Sequence, residues 1–447
     1  MVETMAAETQ SRQGTATFLA VWLGQVCSLV GSTLTGFALS VWVYKNTGSV
    51  TQFSVVILFT MLPGILVSPL AGTLIDRFDR RALMILSNVW SALWTAGVAL
   101  LFAFGTLHLW HVCALAAAIS VSGALLSPAF TASVSQVVPK RHLGRASGMM
   151  QFGEAAAQTL APLFGGFLVL TINISGVLLI DVITYAFAVV TLLFIRLPRA
   201  APAAAPAGEG GLLREAASGW RYIVGRRGLF WLLLFFAATN FTVGLGNILL
   251  TPLVLSFADA AVYGTVASAL GAGLIVGSVL MGVWGGPKRR VRGIFAYGLA
   301  LGLMLALEGL RPSALLIGAG VFVTGCFIPV ANGCFTPILQ SKTPHELQGR
   351  VFAAVRLVAW CTAPAAYLAA GPLADRVFGP LLEEGGPLAG SVGLVLGVGP
   401  GRGIGLLLMV AGAATLAVTA RAYLTPRLHD LEEEVPDVIA DKAVAGA

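Results

Sequence analysis

Apolar runs of about twenty residues recur along the whole chain, separated by short polar or charged segments. Each run is long enough to cross the hydrocarbon core of a bilayer, which is about 30 Å thick. We expect helices, because every backbone polar group in lipid must be hydrogen-bonded internally. The pattern predicts twelve spans, numbered 1 to 12 in chain order, over residues 17–43, 51–74, 82–104, 108–133, 148–171, 175–196, 229–256, 262–284, 293–310, 313–338, 351–374 and 403–423.

The longest polar connection, residues 197–228, separates six predicted spans from another six. It begins as a linker rich in Ala, Pro and Gly and continues with apolar residues on one helical face, which predicts a helix on the membrane surface over 213–223. Equal span numbers on both sides indicate an internal duplication. We therefore predict an all-α integral membrane protein with two pseudo-symmetric six-helix bundles. Its parts are a tail over 1–16, an N-terminal bundle over 17–196, the linker over 197–228, a C-terminal bundle over 229–423 and an acidic tail over 424–447.

The composition agrees with this interpretation. Of 447 residues, 57% are hydrophobic and only 11% are charged, and the mean hydropathy is +0.88. A soluble domain carries about 25% charged residues, so the composition excludes a water-soluble protein.

The basic residues predict the orientation in the membrane. When the loops are numbered alternately, one set holds 22 of the 27 Lys and Arg residues and the other set holds four. Because cytoplasmic loops carry the excess of Lys and Arg, both termini are expected in the cytoplasm of a cell whose inner membrane the chain crosses. Anionic membrane lipids account for the net charge of +7, and no nucleic-acid partner is needed.

Several kinds of chemistry have no sequence support. The five cysteines all lie in apolar runs without a CxxC pair or a nearby His, so we expect neither a disulfide framework nor a metal site. The chain has no GxxxxGK[ST], HExxH or GxSxG motif. We therefore expect no enzyme activity, no built-in ATPase and no cofactor.

A charged segment between spans 2 and 3, GTLIDRFDRR, resembles motif A of the major facilitator superfamily, whose pattern is G-x-x-x-D-R-x-G-R-R. The match covers Gly72, Asp76, Arg77, Arg80 and Arg81, and the chain departs from the pattern where Asp79 replaces the second Gly. The resemblance implies a cytoplasmic latch, in which these charges bind neighbouring helix ends in one state and release them in the other. The alternative is a charged loop that only fixes the topology.

Span 5 resembles motif C of the same superfamily, the antiporter signature. The match rests on Gly148, Ala157, Ala161, Pro162, Gly165 and Gly166, with Ala157 and Ala161 standing where Gly is usual. Proline kinks such a helix, and small residues let a partner helix approach closely. The resemblance implies export rather than import. An ordinary membrane helix rich in Gly and Pro is the alternative.

Three ionisable residues fall well inside predicted spans: Glu154 in span 5, Asp181 in span 6 and Arg356 in span 11. A charge in lipid costs about 3 kcal/mol or more, so such groups face a cavity or a partner. A carboxyl group in an apolar cavity can take up and release a proton near neutral pH. We predict Glu154, and after it Asp181, as the proton-coupling acids. Alternatively, Glu154 forms a structural hydrogen bond or pairs with Arg356, and Asp181 braces the outer helix end.

Uncharged polar residues at membrane depth supply candidates for substrate binding. Gln25 on span 1 and Gln151 on span 5 can contact a substrate or hydrogen-bond a neighbouring helix, and Arg356 can bind an anionic part of a substrate.

The segments GPLADRVFGPLLEEGGPLAG and GPGRGIGLLL resemble the drug-exporter branch that includes macrolide-efflux proteins and the enterobactin exporter. The resemblance implies a monomeric transporter that exchanges an amphipathic small molecule, such as a drug or siderophore, for protons by alternating access. Three alternatives stay open: a translocator of lysolipid or another lipid with the same fold, an importer, and a membrane sensor or scaffold that transports nothing.

Overall fold

The computed structural model of the protein describes residues 2–138, 143–195, 219–425 and residue 432. Within these residues the chain forms helices and loops and no strand. Its long helices are Val2–Thr47, Val50–Phe59, Leu62–Arg77, Arg80–Ala103, Leu109–Val137, Leu143–Thr171, Asn173–Phe194, Arg227–Leu255, Ala260–Trp284, Arg290–Leu310, Ala314–Ser341, His345–Pro372 and Arg402–Leu424. Shorter helices cover Leu373–Phe378, Gly379–Leu381 and Gly393–Leu396.

In the described part of the chain, twelve helical segments are long and apolar enough to cross a membrane, which confirms the predicted all-α fold and the number of spans. Span 2 is not continuous, because one helix ends at Phe59 and the next begins at Leu62. Pro63 stands at the beginning of the second helix, a position where its missing N–H leaves no hydrogen bond unmade. Span 11 continues past its predicted end through a π-helical turn to Leu381.

The linker between the two sets of spans is described only at its end. Residues 219–224 are helical, whereas 213–218 of the predicted surface helix lie outside the described residues. The aromatic ring of Tyr222 lies 3.7 Å from the Arg226 guanidinium, and its hydroxyl donates a hydrogen bond to the Lys342 carbonyl oxygen.

The chain forms two compact units. Unit 1 comprises Met1–Ala205 together with Ala258–Ser268, and unit 2 comprises Pro206–Phe257 together with Ala269–Ala447. In unit 1, span 1 packs along spans 5 and 6, and span 3 packs along spans 4 and 6. In unit 2, span 9 packs along spans 10 and 12, and span 7 packs along spans 11 and 12.

The first amides of span 9 are capped by a residue from the C-terminal tail. Glu432 Oε1 accepts a hydrogen bond from the Arg290 N–H at 3.1 Å, and Oε2 accepts one from the Val291 N–H at 3.5 Å. The Glu432 carbonyl oxygen accepts a third from Lys342 Nζ at 2.8 Å. A carboxylate at a helix N-terminus is stabilised by the helix dipole. The tail therefore ties the beginning of span 9 to Lys342, which ends span 10.

Replacing Glu432 with Gln is expected to lower the free energy of unfolding by about 1 kcal/mol, since it weakens a cap on span 9. Thermal unfolding of the purified protein in detergent measures this change. The matched control is Glu434→Gln, which removes the same charge from the same acidic run. An equal shift in both variants would mean that the tail's net charge, and not this cap, stabilises the fold.

Candidate functional site

A stripe of polar side chains runs through the interior of unit 1, between spans 1, 3 and 6. On span 1 the polar positions are spaced three or four residues apart, which places them on one helix face. The polar stripe consists of Gln25, Ser28, Ser32 and Thr35 on span 1, Asn88, Ser91 and Thr95 on span 3, and Asp181, Thr184 and Tyr185 on span 6.

Hydrogen bonds connect several members of the polar stripe. Ser28 Oγ donates to Asn88 Oδ1 at 3.3 Å, and Asn88 Nδ2 donates to the Met84 carbonyl oxygen at 2.8 Å. Ser32 Oγ lies 2.8 Å from both the Ser28 carbonyl oxygen and the Tyr185 hydroxyl. A serine hydroxyl carries one proton, so Tyr185 donates to Ser32 whenever Ser32 donates to Ser28.

Asp181 is the one acid of the polar stripe, and its side chain is 0% exposed. The hydroxyl groups of Thr35, Ser32, Thr184 and Thr95 surround its carboxyl group. Neither carboxyl oxygen accepts a hydrogen bond of good geometry from any residue in the described ranges. Burying an unpaired carboxylate costs several kcal/mol. The neutral, protonated form of the carboxyl group avoids this cost.

A glycine lets span 1 approach this carboxyl group. A Cβ atom added at Gly31 would lie 2.8 Å from Asp181 Oδ1 and would also clash with Thr184 Oγ1. Only Gly, which has no Cβ, fits at this crossing of spans 1 and 6.

A pocket of about 190 Å³ lies in unit 1 among spans 1, 2 and 4. Most of its wall is apolar, and its polar members are Ser32, Thr35, Ser40 and Thr60. Ser32 and Thr35 thus belong both to this pocket and to the surroundings of Asp181. One layer of hydroxyl groups connects an apolar pocket with a buried acid.

The structure places the predicted site residues in different environments. Gln25 is buried in the polar stripe, and its Nε2 donates to no residue in the part of the chain that is described. Gln151 and Glu154 are exposed on span 5, and neither lines the 190 Å³ pocket. Arg356 is exposed on span 11 in unit 2. The geometry therefore groups Gln25 with Asp181 and leaves the other three outside the polar stripe.

Two arginines of the motif A segment bind carbonyl oxygens of neighbouring helices, and Arg81 binds those at a helix end. Arg81 Nε and Nη2 donate to the carbonyl oxygens of Leu192 and Leu193 in the last turn of span 6, at 2.8 and 2.9 Å. Arg80 Nη1 donates to the Ala132 carbonyl oxygen of span 4 at 2.9 Å. A guanidinium at a helix C-terminus satisfies orphan carbonyls and complements the dipole. Gly72, Asp76 and Arg77 belong to the helix Leu62–Arg77, but their contacts lie outside the described part of the structure.

The departure from motif A at Asp79 has a local explanation. Asp79 precedes the first residue of span 3, and its Oδ1 accepts a hydrogen bond from the Arg81 N–H at 3.1 Å. An Asp at this position caps a helix, which a Gly cannot do with a side chain.

The small residues of the motif C segment lie at close helix contacts. Ala157 and Ala161 are fully buried, and a Cβ atom at Gly165 would lie 2.8 Å from the Phe37 ring of span 1. A Cβ atom at Gly166 would lie 2.5 Å from the carbonyl oxygen of Ala260, within unit 1. At the other end of the segment, a Cβ atom added at Gly148 would meet no heavy atom within 4 Å.

Sequence reasoning missed one buried acid. Glu308 is 5% exposed and lines a cavity of about 60 Å³ in unit 2 with Asn247 and Thr324. It lies in the last turn of the predicted span 9, where an acidic residue is typical of the polar boundary of a span. Its position after the apolar run GLMLAL was the available signal.

The amino-acid sequence matches the family described as Major Facilitator Superfamily over residues 21–367. It is 25% identical over 375 residues to macrolide efflux protein A of Streptococcus pyogenes, covering 80% of this chain and 90% of that protein. It is 24% identical over 347 residues to the multidrug efflux pump Tap of Mycobacterium bovis, covering 74% of this chain and 81% of that protein. Among solved structures, the nucleoside transporter NupG is similar with a TM-score of 0.64 and 11% identity, covering 91% of this chain and 98% of that one.

Proposed function

The chain belongs to the Major Facilitator Superfamily, and we propose that it exports amphipathic small molecules from the cell in exchange for protons. It is a multi-pass membrane transporter. In the proposed arrangement it works as a monomer in the cell membrane, surrounded by lipid, with both termini in the cytoplasm.

Export is supported by the relatives, which are named for macrolide efflux and multidrug efflux. The motif C segment of span 5 favours the same direction, because its resemblance is to the antiporter signature. An apolar pocket with a few hydroxyl groups suits a substrate that is mostly apolar and carries some polar groups.

The observation that carries proton coupling is the position of Asp181 behind the 190 Å³ pocket. Ser32 and Thr35 face both places, so a substrate that reorients these hydroxyl groups changes what the carboxyl group can bond to. We assign the proton to Asp181 and not to Glu154, because the Asp181 carboxyl group is buried with no cation beside it among the described residues, whereas Glu154 is exposed.

The proposed cycle alternates access to the pocket between the two sides of the membrane. Asp181 releases its proton toward the cytoplasm, the pocket loads substrate, and rearrangement of the bundles exposes the substrate outside, where a proton binds again. One proton crossing ~100 mV supplies about 2.3 kcal/mol, enough for a roughly 50-fold gradient of a neutral solute.

The experiment that tests export is a panel of antibiotics, dyes and siderophores in bacteria that lack their own drug exporters. Expression of the chain is expected to lower accumulation of at least one amphipathic compound, and a protonophore is expected to abolish the effect. Higher accumulation would indicate an importer. Movement of labelled lysolipid without any effect on the panel would indicate a lipid translocator, and no movement of either would favour a sensor or scaffold.

The pocket itself can be tested by filling it. Gly36 lines the pocket, and a Cβ atom added there would meet no heavy atom within 4 Å, so Gly36→Leu is expected to fold normally. The added side chain occupies the pocket, and export is expected to fall at least tenfold. A tenfold loss of substrate affinity corresponds to about 1.4 kcal/mol of binding free energy. The measurement is efflux of the compound that the panel identifies.

The matched control is Gly97→Leu on span 3, where an added Cβ atom also meets nothing within 4 Å but the residue does not line the pocket. Normal export by Gly36→Leu would show that the substrate binds elsewhere.

A further inference from the structure

Unit 2 holds a buried acid whose setting repeats that of Asp181. Glu308 is 5% exposed, and a Cβ atom added at Gly320 of span 10 would lie 2.7 Å from its Oε1. The corresponding distance from Gly31 to Asp181 Oδ1 is 2.8 Å. In both units, then, a carboxyl group lies against a glycine of the neighbouring helix and has no cation at hydrogen-bonding distance among the described residues.

The cavity beside Glu308 is small and mostly apolar. Its volume is about 60 Å³, and a water molecule needs roughly 10–15 Å³ of such space, so the cavity has room for water. Its polar members besides Glu308 are Asn247 of span 7 and Thr324 of span 10. Thr324 Oγ1 is buried and has no hydrogen-bond partner in the described ranges. A carboxyl, an amide and an unpartnered hydroxyl group therefore line one cavity that has room for water.

Few other charges act on this acid. Spans 7, 10 and 12 pack against span 9. The titratable groups on span 10 are Cys326 and Cys334 alone. The charged group on span 7 is Arg227, at the first residue of that helix. Span 12 contributes Arg421 and Tyr423 at its far end, and Arg402 at its first residue donates to the Leu396 carbonyl oxygen. Arg311 follows span 9 and is exposed.

The position within the helix adds a further cost for a charge. Glu308 lies in the last turn of Arg290–Leu310, where the helix dipole disfavours an anion. A metal cation such as Ca²⁺ or Mg²⁺ takes six or more oxygen ligands. Three polar side chains supply fewer, so the geometry favours a proton as the bound cation.

We propose that Glu308 is a second proton-exchange site, reached through water held by Asn247 and Thr324. The carboxylic acid gives its proton to a water molecule in the cavity, leaving a carboxylate and a hydronium ion, and the reverse step reloads it. This role rests on the proposed antiport. In that antiport each transport cycle would exchange two protons, one at Asp181 and one at Glu308.

The test uses the proton as its probe and needs no identified substrate. Infrared difference spectra of the purified protein between acidic and alkaline pH, recorded in H₂O and D₂O, report carboxylic acid groups that exchange. Wild-type protein is expected to show a buried carboxylic acid band that Glu308→Gln removes and Asp181→Asn leaves in place. Thr324→Val, which keeps the acid and removes its hydroxyl neighbour, is expected to shift that band. If Glu308→Gln does not fold, the Thr324→Val shift decides the matter.

The proposal would be overturned if the difference spectrum of Glu308→Gln were the same as that of the wild type. If Glu308→Gln does not fold, an unchanged spectrum of Thr324→Val would overturn it. So would a band that responds to added sodium at constant pH, because it would indicate a metal cation site. Failure of proton-driven export is measured separately in the efflux panel and leaves this result intact, so the two failures are distinguishable.

Discussion

Export driven by a pH gradient is expected to fall at least tenfold when Asp181 is replaced with Asn. The substitution keeps the size of the buried side chain but removes the group that exchanges a proton in the proposed cycle. A tenfold loss corresponds to about 1.4 kcal/mol at the barrier. The measurement is transport of the exported compound into proteoliposomes under an imposed pH gradient.

The same variant is expected to retain exchange of labelled for unlabelled substrate, because that reaction requires no net proton movement. Glu383→Gln, which removes an exposed acid from the connection after span 11, is the control for a general effect of charge. Glu154→Gln tests the acid that the sequence favoured first. If Glu154→Gln abolishes gradient-driven transport and Asp181→Asn does not, the coupling acid is Glu154 and the assignment to the polar stripe is wrong.

Replacing Arg81 with Gln is expected to lower both stability and transport. Its guanidinium makes two hydrogen bonds to the last carbonyl oxygens of span 6, and hydrogen bonds to charged groups contribute about 1.5–3 kcal/mol each. Both bonds hold the end of the helix that carries Asp181. Because one of the two bonds is exposed to solvent, we expect less than their sum, a loss of roughly 2–4 kcal/mol in the free energy of unfolding. Thermal unfolding in detergent measures the stability, and efflux measures the transport.

Arg81→Lys is expected to recover only part of this loss, because an ammonium group cannot reproduce the two-pronged geometry of the guanidinium. The control is Arg292→Gln, which removes an exposed arginine near the beginning of span 9. Full recovery by Lys would show that charge alone matters, in agreement with a segment that only fixes the topology.

The spans were predictable because hydropathy over twenty residues depends on the bilayer and not on the neighbouring helices. The family was also recognisable from the motif A and motif C segments. The break in span 2 was not predicted, although Pro63 gave a local signal for it. The cap on span 9 could not be predicted, because Glu432 lies 142 residues away from Arg290 in the chain.

The site was harder to predict for the same physical reason. A sequence shows that Glu154 and Asp181 are acids inside spans, but exposure depends on the direction each helix face takes in the fold. The polar positions of span 1 were visible as a periodic pattern, yet their partners on spans 3 and 6 are brought together only by packing. Glu308 was not among the predicted site residues, because for a residue two positions from a helix end the sequence does not show whether its side chain faces water or a buried cavity.

Vectorial transport in proteoliposomes tests most directly whether the protein moves substrate in exchange for protons. With an acidic lumen, protons leave and the exported compound is expected to accumulate inside, and with an alkaline lumen it is expected to be driven out. Accumulation with the opposite dependence on the gradient would identify a symporter. Equal movement under both gradients and under none would contradict proton-driven export altogether.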